Sequence, residues 1–147
     1  MMMRIGETPK AGQRYVHRPG AYAILRRGSD ILLTFQERPE PEFQLPGGGV
    51  EVGEHPIPAL HREIFEETGW RAANLRKLGA FRRFTFMPEY DLWAEKLCSV
   101  YVGTPVLKLS EPIEKGHHAV WMPMNEAVDA LGNDGDRMFL SSLIEQL

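Results

Sequence analysis

The hydrophobic residues near the start of the chain form two short blocks with a polar turn between them. Ala21–Leu25 and Ile31–Phe35 are apolar runs of strand length, and the linking residues 26–30 contain glycine, serine and aspartate. Such residues favour tight turns, so the pattern predicts a β-hairpin. Residues 1–20 are polar and contain prolines and glycines, and we predict an N-terminal arm there.

A helix is predicted over residues 57–68. Leu60 and Ile64 are four residues apart and give this segment one apolar edge. The prolines at its start are compatible with a helix only in or before its first turn. Gly69 is a typical C-terminal stop, so the predicted helix ends just before it.

The remaining pattern predicts strands on both sides of this helix and two helices at the end of the chain. Alternation in residues 75–86 places Arg82 and Arg83 on opposite faces of a strand. Strands around one helix, followed by further helices, favour an α/β fold. The predicted elements are a loop over 36–47, a short strand around Gly49–Glu51, strands Leu75–Phe86, Leu92–Val102 and Ala119–Met122, a loop over 103–118, and helices Met124–Leu131 and Gly135–Leu147.

Composition is that of an ordinary globular domain. The chain has 147 residues, of which 43% are hydrophobic and 25% charged, which favours a single domain over residues 1–147 and excludes a disordered chain. No stretch approaches the roughly 18 to 20 apolar residues of a membrane span, and the N-terminus lacks the apolar run of a secretory signal. Cys98 is the only cysteine, so we expect no internal disulfide and a cytoplasmic location.

The net charge of −3 hides an uneven distribution. A small acidic excess argues weakly against a dedicated nucleic-acid binder, but residues 1–38 hold seven basic and three acidic residues, whereas residues 39–70 hold seven glutamates and one arginine. In the predicted helix, Glu63, Glu66 and Glu67 project from one side, where like charges repel one another. A bound divalent cation such as Mg²⁺, which prefers oxygen ligands, would relieve this repulsion.

The spacing around these glutamates resembles the Nudix box. The motif spans Gly48 to Trp70, and all seven of its fixed positions are matched. Trp70 stands where an aliphatic residue is usual, and the preceding Phe43–Gly47 is similar to the family's approach to the box. The matching residues are Gly48, then Glu54 after five residues, then Arg62-Glu63-Ile64-Phe65-Glu66-Glu67-Thr68-Gly69 after seven more.

This resemblance implies a MutT-like Nudix hydrolase with an α/β/α sandwich and a mixed β-sheet. The implied reaction is hydrolysis of the pyrophosphate bond in a nucleoside diphosphate linked to another group: a nucleoside triphosphate, a nucleotide sugar or a dinucleotide. Mg²⁺ is the implied cofactor, and Mn²⁺ is expected to substitute for it. The implied partner is a small-molecule nucleotide, and the family resemblance also allows a homodimer.

The resemblance also assigns roles to individual residues of the box. Glu66 and Glu67 correspond to the principal metal ligands, and Glu63 is either a ligand or the general base. Arg62 is similar to the arginine that orients the glutamates. The predicted catalytic residues are Glu63, Glu66, Glu67 and Arg62, and the predicted metal-site residues are Glu63, Glu66, Glu67, Glu54 and Gly48.

Residues outside the box are candidates for substrate contact or for the general base. Arginine suits bidentate recognition of phosphate, and a histidine before the strand at Ala119 could reach substrate. Each of these residues is equally compatible with an ordinary surface or structural charge. The candidate substrate contacts are Arg18, Arg26, Arg82, Arg83 and His117, and the candidate bases outside the box are Glu89, Asp91, Glu95, Glu111 and Glu114.

Three other functions are compatible with parts of the pattern. An inactive Nudix-like domain that senses a nucleotide is disfavoured because none of the three helix glutamates is lost. An RNA 5′-end pyrophosphohydrolase would need a basic arm or groove, and only the basic excess of residues 1–38 hints at one. An unrelated acidic calcium-binding helix is disfavoured by the register of the box. We therefore expect neither a nucleic-acid nor a membrane partner.

Overall fold

The structure is a computed structural model that describes residues 2–147. These residues form eight strands and three helices. The strands are β1 (Met3–Arg4), β2 (Val16–Arg27), β3 (Asp30–Gln36), β4 (Glu42–Gln44), β5 (Gly47–Gly49), β6 (Trp70–Met87), β7 (Leu92–Lys108) and β8 (His117–Pro123), and the helices are α1 (Pro56–Thr68), α2 (Met124–Ala130) and α3 (Asp134–Glu145).

A mixed sheet with the strand order β1-β6-β7-β2-β3-β4 forms the centre of the fold. β2 pairs in parallel with β7 along one edge. Along its other edge it pairs with β5 at Gly20–Tyr22 and with β3 only at Leu25–Arg27. Because β3 leaves β2 before Leu25, the glycine-rich β5 can pair with β2 there, close to α1. β8 continues the sheet by pairing with β3.

Helices cover both faces of the sheet. On one face, Leu60 and Ile64 of α1 pack with Leu25 of β2. On the other face, Leu140 of α3 packs in a cluster that includes Ile24 of β2. Consecutive residues of β2 therefore point into different cores, and the predicted α/β/α sandwich with a mixed β-sheet is confirmed.

The helix α1 lies where the sequence predicts it, beginning one residue earlier. The His55 Nδ1 atom accepts a hydrogen bond from the Ile57 N–H at 3.2 Å and caps the start of the helix. Gly69 ends it with φ of 77°, and its N–H donates to the Phe65 carbonyl. A β-carbon at Gly69 would overlap the carbonyl oxygen of Ser110, so a glycine is required there for two reasons.

The N-terminal segment departs from the predicted arm. Met3 and Arg4 pair with Phe81 and Arg82 of β6, and β2 already begins at Val16; Met1 lies outside the described residues. The polar sequence conceals these strands because their pairing rests on backbone hydrogen bonds and does not require apolar side chains.

Two predicted loops also contain strand residues. The segment 36–47 includes β4, whose Phe43 packs edge-on against Phe35 with ring centroids 4.9 Å apart. The short strand predicted around Gly49–Glu51 lies instead at Gly47–Gly49. The predicted loop 103–118 begins later, because β7 continues to Lys108. Pro105 fits this extension, because β7 has no β2 neighbour beyond Gly103 and pairs there with β6 alone, as an edge strand does.

Candidate active site

Three glutamates of α1 and one arginine form the centre of the candidate site. Glu63, Glu66 and Glu67 project from one side of the helix, as the spacing predicts. The Arg62 guanidinium lies 3.0 Å from Glu63, 3.5 Å from Glu66 and 3.2 Å from Glu54. Arg62 therefore offsets part of the repulsion between these carboxylates and fixes their orientation.

Glu67 is buried, with 5% of its surface exposed. Its Oε1 atom accepts a hydrogen bond from the Gly47 N–H at 2.9 Å. Burial raises the pKa of this carboxyl well above its ordinary value, and the neighbouring carboxylates act in the same direction. Its other oxygen, Oε2, accepts no hydrogen bond within residues 2–147 and lies 3.6 Å from His117 Nδ1.

Glu63 lies against the glycine-rich strand β5. A β-carbon at Gly48 would come within 2.7 Å of the Glu63 carboxyl carbon, so a larger residue at this position would clash with the carboxylate. Burial raises the pKa of Glu63 to about 7, and the repulsion from Glu114 and Glu66 adds to this effect, while Arg62 opposes it. The structure thus brings Gly48 against the Glu63 carboxylate, and its place in the metal site stays a prediction.

Glu54 is held on the outer side of this cluster. Its Oε1 atom accepts a hydrogen bond from the Glu51 N–H at 3.0 Å, and its Oε2 atom pairs with Arg62. The backbone hydrogen bond, followed by Arg62, lowers the pKa of Glu54. Glu54 therefore acts on the other glutamates through Arg62 in this arrangement.

A fourth carboxylate reaches the site from the loop between β7 and β8. The N–H groups of Ile113 and Glu114 both donate to the Glu66 carbonyl at 2.9 Å, and Leu109 donates to the Gly69 carbonyl. These bonds occupy carbonyls at the C-terminal end of α1 that the helix itself cannot satisfy. They also hold the Glu114 side chain near the helix glutamates.

His117 lies at the start of β8 beside Glu67. Its Nδ1 atom is 2.9 Å from the hydroxyl of Thr34, a fully buried residue of β3. Burial lowers the pKa of His117, so its neutral form is favoured. Among residues 2–147, two sets of three side chains have potential ligand atoms within 4.8 Å of one another: Glu63, Glu66 and Glu114, and Glu67, Glu114 and His117.

The cluster opens into a cavity of about 1050 Å³. Two further polar residues line this cavity that had not been predicted as site residues, Lys96 of β7 and Asp136 of α3. Asp136 is 3% exposed, and burial raises its pKa to about 6. Tyr22 raises the pKa of Lys96, which lines the cavity beside it. The alternation of Lys96 and Cys98 along β7 and the capping pair of Asn133 and Asp136 were the available sequence signals.

The structure divides the predicted substrate contacts. Arg83 and His117 line the cavity. Arg82 lies on the opposite face of β6, where it pairs with Glu95 at 3.1 Å. Arg18 stacks on the Tyr90 ring at the rim and does not line the cavity, and Arg26 lies at the far end of β2 from β5. Arg83 and His117 are thus the two of these five residues that line the cavity, and substrate contact stays a prediction for all five.

Of the candidate bases outside the box, Glu114 alone belongs to the carboxylate sets found within residues 2–147. Glu89 lines the cavity at the tip of the β6–β7 hairpin, and Asp91 lies in the same turn. Glu95 pairs with Arg82 and Glu111 pairs with Lys108, so both are engaged elsewhere.

Comparison with known proteins extends these observations. A model described as "NUDIX domain" matches residues 16–143. The "Putative 8-oxo-dGTP diphosphatase" of Bacillus subtilis (strain 168) is 39% identical over 74 residues, which are 50% of this chain and 50% of that protein. The "CMP-5'-(N-acetyl-N-hydroxy-3-aminopropyl)phosphonate hydrolase" of Streptomyces rubellomurinus is 29% identical over 133 residues, covering 86% of this chain and 61% of that protein. The chain thus spans less than two thirds of each curated relative.

A solved structure supports the same architecture. The MutT NUDIX hydrolase from Burkholderia pseudomallei aligns with a TM-score of 0.66 at 24% identity, covering 86% of this chain and 97% of that chain. None of the helices formed by residues 2–147 has the length and apolar character needed to cross a lipid bilayer. The match over residues 16–143 and the arrangement of the box together establish that the chain belongs to the Nudix family.

Proposed function

We propose that the protein is a pyrophosphohydrolase that uses a divalent cation to cleave a nucleoside diphosphate linked to another group. The observation that carries this proposal is the convergence of the α1 glutamates and Glu114 at one end of a large cavity. Membership of the Nudix family supports this chemistry, as do the hydrolase names of the two curated relatives.

The donor set fits a divalent cation. The cluster is rich in carboxylate oxygens, and the buried Glu67 has one oxygen without a hydrogen-bond donor among residues 2–147. We assign Glu66, Glu67 and Glu114 as the residues that would hold Mg²⁺, with Mn²⁺ as a substitute. When bound, such a cation would neutralise charge on the pyrophosphate and lower the pKa of a bound water.

The protein's own groups hold the carboxylates of the site in position and provide a base that accepts a proton. Arg62 and the Gly47 N–H fix the carboxylates on α1 and restrict their rotation. Glu63, with a pKa of about 7, can accept a proton near neutral pH, and we assign it as the general base. Glu114 is the second candidate for this role, because it lies in the same carboxylate set.

Basic residues in the lining of the cavity provide positive charge for the substrate. Arg83 and Lys96 both line it and suit phosphate or carbonyl oxygens. Its volume of about 1050 Å³ is slightly above the range of about 300 to 1,000 Å³ typical of small-ligand sites, which leaves room for a nucleotide and a linked group. A cytoplasmic location and a homodimer stay predictions.

Glu66→Gln and Glu67→Gln test this proposal. Each substitution keeps the size of the side chain but removes a charge, so we expect turnover with Mg²⁺ to fall by about 10²- to 10⁴-fold. Glu126→Gln, at an exposed position in α2, is the matched control and should retain full turnover. Unchanged turnover in both site variants would contradict the assignment.

The substrate class requires a panel assay with product identification by mass. Nucleoside triphosphates, nucleotide sugars, dinucleotides and triphosphorylated RNA are incubated with the protein and Mg²⁺ or Mn²⁺. Release of two phosphate-containing products from a small nucleotide is expected. Turnover of RNA alone would favour the 5′-end pyrophosphohydrolase, and binding without turnover of any substrate would favour a nucleotide sensor.

A further inference from the structure

The cavity lining continues from the carboxylate cluster along one face of the sheet. Gln36 of β3 lies opposite His117 of β8 on one side and opposite Glu42 of β4 on the other. Two residues earlier on β3, Thr34 lies opposite Gln44. Residues directly opposite one another in paired strands share a face, as do alternate residues of one strand. Gln36, Glu42 and Gln44 therefore lie on one face and all line the cavity, and we call these three residues the β3–β4 face.

Hydrogen bonds and packing fix the side chains of the β3–β4 face. The Gln44 Nε2 group donates to Gln36 Oε1 and to Glu42 Oε1, both at 3.1 Å. An ionised carboxylate can only accept a hydrogen bond, so Glu42 defines which end of the Gln44 amide is the N–H₂ group. The Glu42 stem lies against Gly132, where a β-carbon would overlap it, and the Gly132 N–H donates to the Phe43 carbonyl. The face is therefore held in position before a ligand binds.

Several polar atoms of the β3–β4 face have unused hydrogen-bonding capacity. Within residues 2–147, neither Gln44 Oε1 nor Glu42 Oε2 accepts a hydrogen bond from the protein. The Gln36 Nε2 group makes one long contact of 3.4 Å, to the Glu40 carbonyl. The face thus presents amide and carboxylate oxygens as acceptors and an amide N–H₂ as a donor. This set complements hydroxyl groups, because each hydroxyl both donates and accepts hydrogen bonds.

The same face is a poor match for a further phosphate or a second nucleobase. A phosphate placed here would meet the Glu42 carboxylate, and the basic residues of the nearby lining, Arg38 and Lys115, are exposed, so that solvent weakens their attraction. A nucleobase binds best by stacking on an aromatic ring. The aromatic residues of these two strands, Phe35 and Phe43, pack against each other at the alternate positions, which belong to the opposite face.

We propose that the β3–β4 face binds the hydroxyl groups of a sugar joined to the nucleoside diphosphate, so that nucleotide sugars are the substrate class. This inference rests on the proposed function, because it assumes that the carboxylate cluster holds the pyrophosphate. His117 links the two regions, since it lies 3.6 Å from Glu67 and opposite Gln36. The water oxygen joins one phosphorus, the bond from that phosphorus to the bridging oxygen breaks, and a nucleoside monophosphate and a sugar phosphate leave.

A comparison of substrates that share one nucleoside tests this class. A nucleoside diphosphate hexose, the nucleoside triphosphate and the symmetrical dinucleotide are assayed with Mg²⁺ for each common base. Two or more hydrogen bonds to hydroxyls should give the hexose derivative a kcat/KM at least about 10-fold above that of the other two. Replacing the hexose by a methyl group should raise KM.

Two substitutions test the β3–β4 face through the ratio of kcat/KM for the hexose derivative to kcat/KM for the triphosphate. Gln44→Leu removes an acceptor and should lower this ratio by about 3- to 10-fold. Glu42→Gln keeps the size of the side chain but removes the charge that binds hydroxyls and repels phosphate, so the ratio should fall by about 10- to 100-fold. This variant keeps the test decisive if Gln44→Leu fails to fold.

Glu37→Gln is the matched control for Glu42→Gln. Glu37 directly follows Gln36, is exposed, pairs with His118 and lies outside the cavity lining. The ratio should keep its wild-type value in this control.

Equilibrium binding separates this inference from the proposed function. Calorimetry with the Glu66→Gln protein and Mg²⁺ compares the hexose derivative with the triphosphate while slow turnover preserves both. A preference for the hexose derivative that Glu42→Gln abolishes would support the β3–β4 face, even if the wild-type protein hydrolysed neither compound and the proposed function failed. Equal kcat/KM for the two compounds, or a preference that Gln44→Leu and Glu42→Gln both retain, would refute the hydroxyl-binding face and leave the pyrophosphohydrolase intact.

Discussion

The buried carboxyl of Asp136 makes the stability of the protein depend on pH in a predictable way. Burial raises its pKa from 3.8 to about 6, although the Leu45 N–H, Asn133 and nearby cations favour the charged form. The folded protein therefore holds a proton on Asp136 that the unfolded chain would release between these two pH values. The groups that face this carboxyl are Arg83 of β6, Lys96 and Cys98 of β7, Tyr22 of β2, and Asn133 before α3.

The sign and size of the effect follow from proton linkage. A raised pKa in the folded state stabilises the fold fully below pH 3.8, and this contribution is lost as the pH rises through 6. Each pKa unit corresponds to about 1.4 kcal/mol, so ionised Asp136 destabilises the fold by about 3 kcal/mol above pH 6. Asp136→Asn removes the charge and keeps an oxygen that can accept the Leu45 and Asn133 hydrogen bonds.

Urea unfolding in the presence of a chelator, at several pH values from 4.5 to 8, measures this contribution. Asp136→Asn should gain up to about 3 kcal/mol over the wild-type protein at pH 8 and little at pH 4.5. Asp134→Asn, an exposed position in the same turn of α3, is the control and should show no such pH-dependent gain. A variant that is less stable than wild type at pH 8, or a gain that is constant with pH, would refute the reasoning.

Two further substitutions test how α1 is positioned. Gly69→Ala should lower the free energy of unfolding by about 1–3 kcal/mol or more, because φ is 77° and the new β-carbon overlaps Ser110; a thermal or urea midpoint equal to wild type would contradict this. Arg62→Met should reduce kcat by about 10- to 100-fold through loss of carboxylate orientation but change stability by only about 0–1 kcal/mol, since the guanidinium is partly exposed. Arg76→Met, on the exposed part of β6, is its control, and equal kcat values for both variants would exclude the orienting role.

The helix α1 and its carboxylates could be predicted because all their determinants are local. The four-residue spacing of Leu60 and Ile64, the stop at Gly69 and the side-by-side placement of Glu63 and Glu67 depend only on helix geometry. The structure changes the helix boundary by one residue and adds the contacts of Arg62.

The part of the cavity lined by Lys96 and Asp136 could not be predicted in the same way. Lys96 and Asp136 are forty residues apart in sequence and meet only because α3 packs on the face of the sheet that β7 presents. Alternation placed Arg82 and Arg83 on opposite faces but could not say which face holds the cavity. That choice depends on the pairing of β6 with β7, where Arg83 lies opposite Lys96 and Arg82 opposite Leu97.

Glu114 shows how a site residue can lack any sequence signal of its own. Among the five candidate bases outside the box, Glu114 is the one whose N–H, together with that of Ile113, donates to the Glu66 carbonyl. The loop thus uses the unsatisfied end of α1 as its attachment point. The same helix therefore supplies carboxylates from its side chains and, through its C-terminal carbonyls, places one more beside them. The Glu114 carboxylate adds to the negative charge of the glutamates of residues 39–70, and this strengthens the electrostatic argument for a cation beside α1.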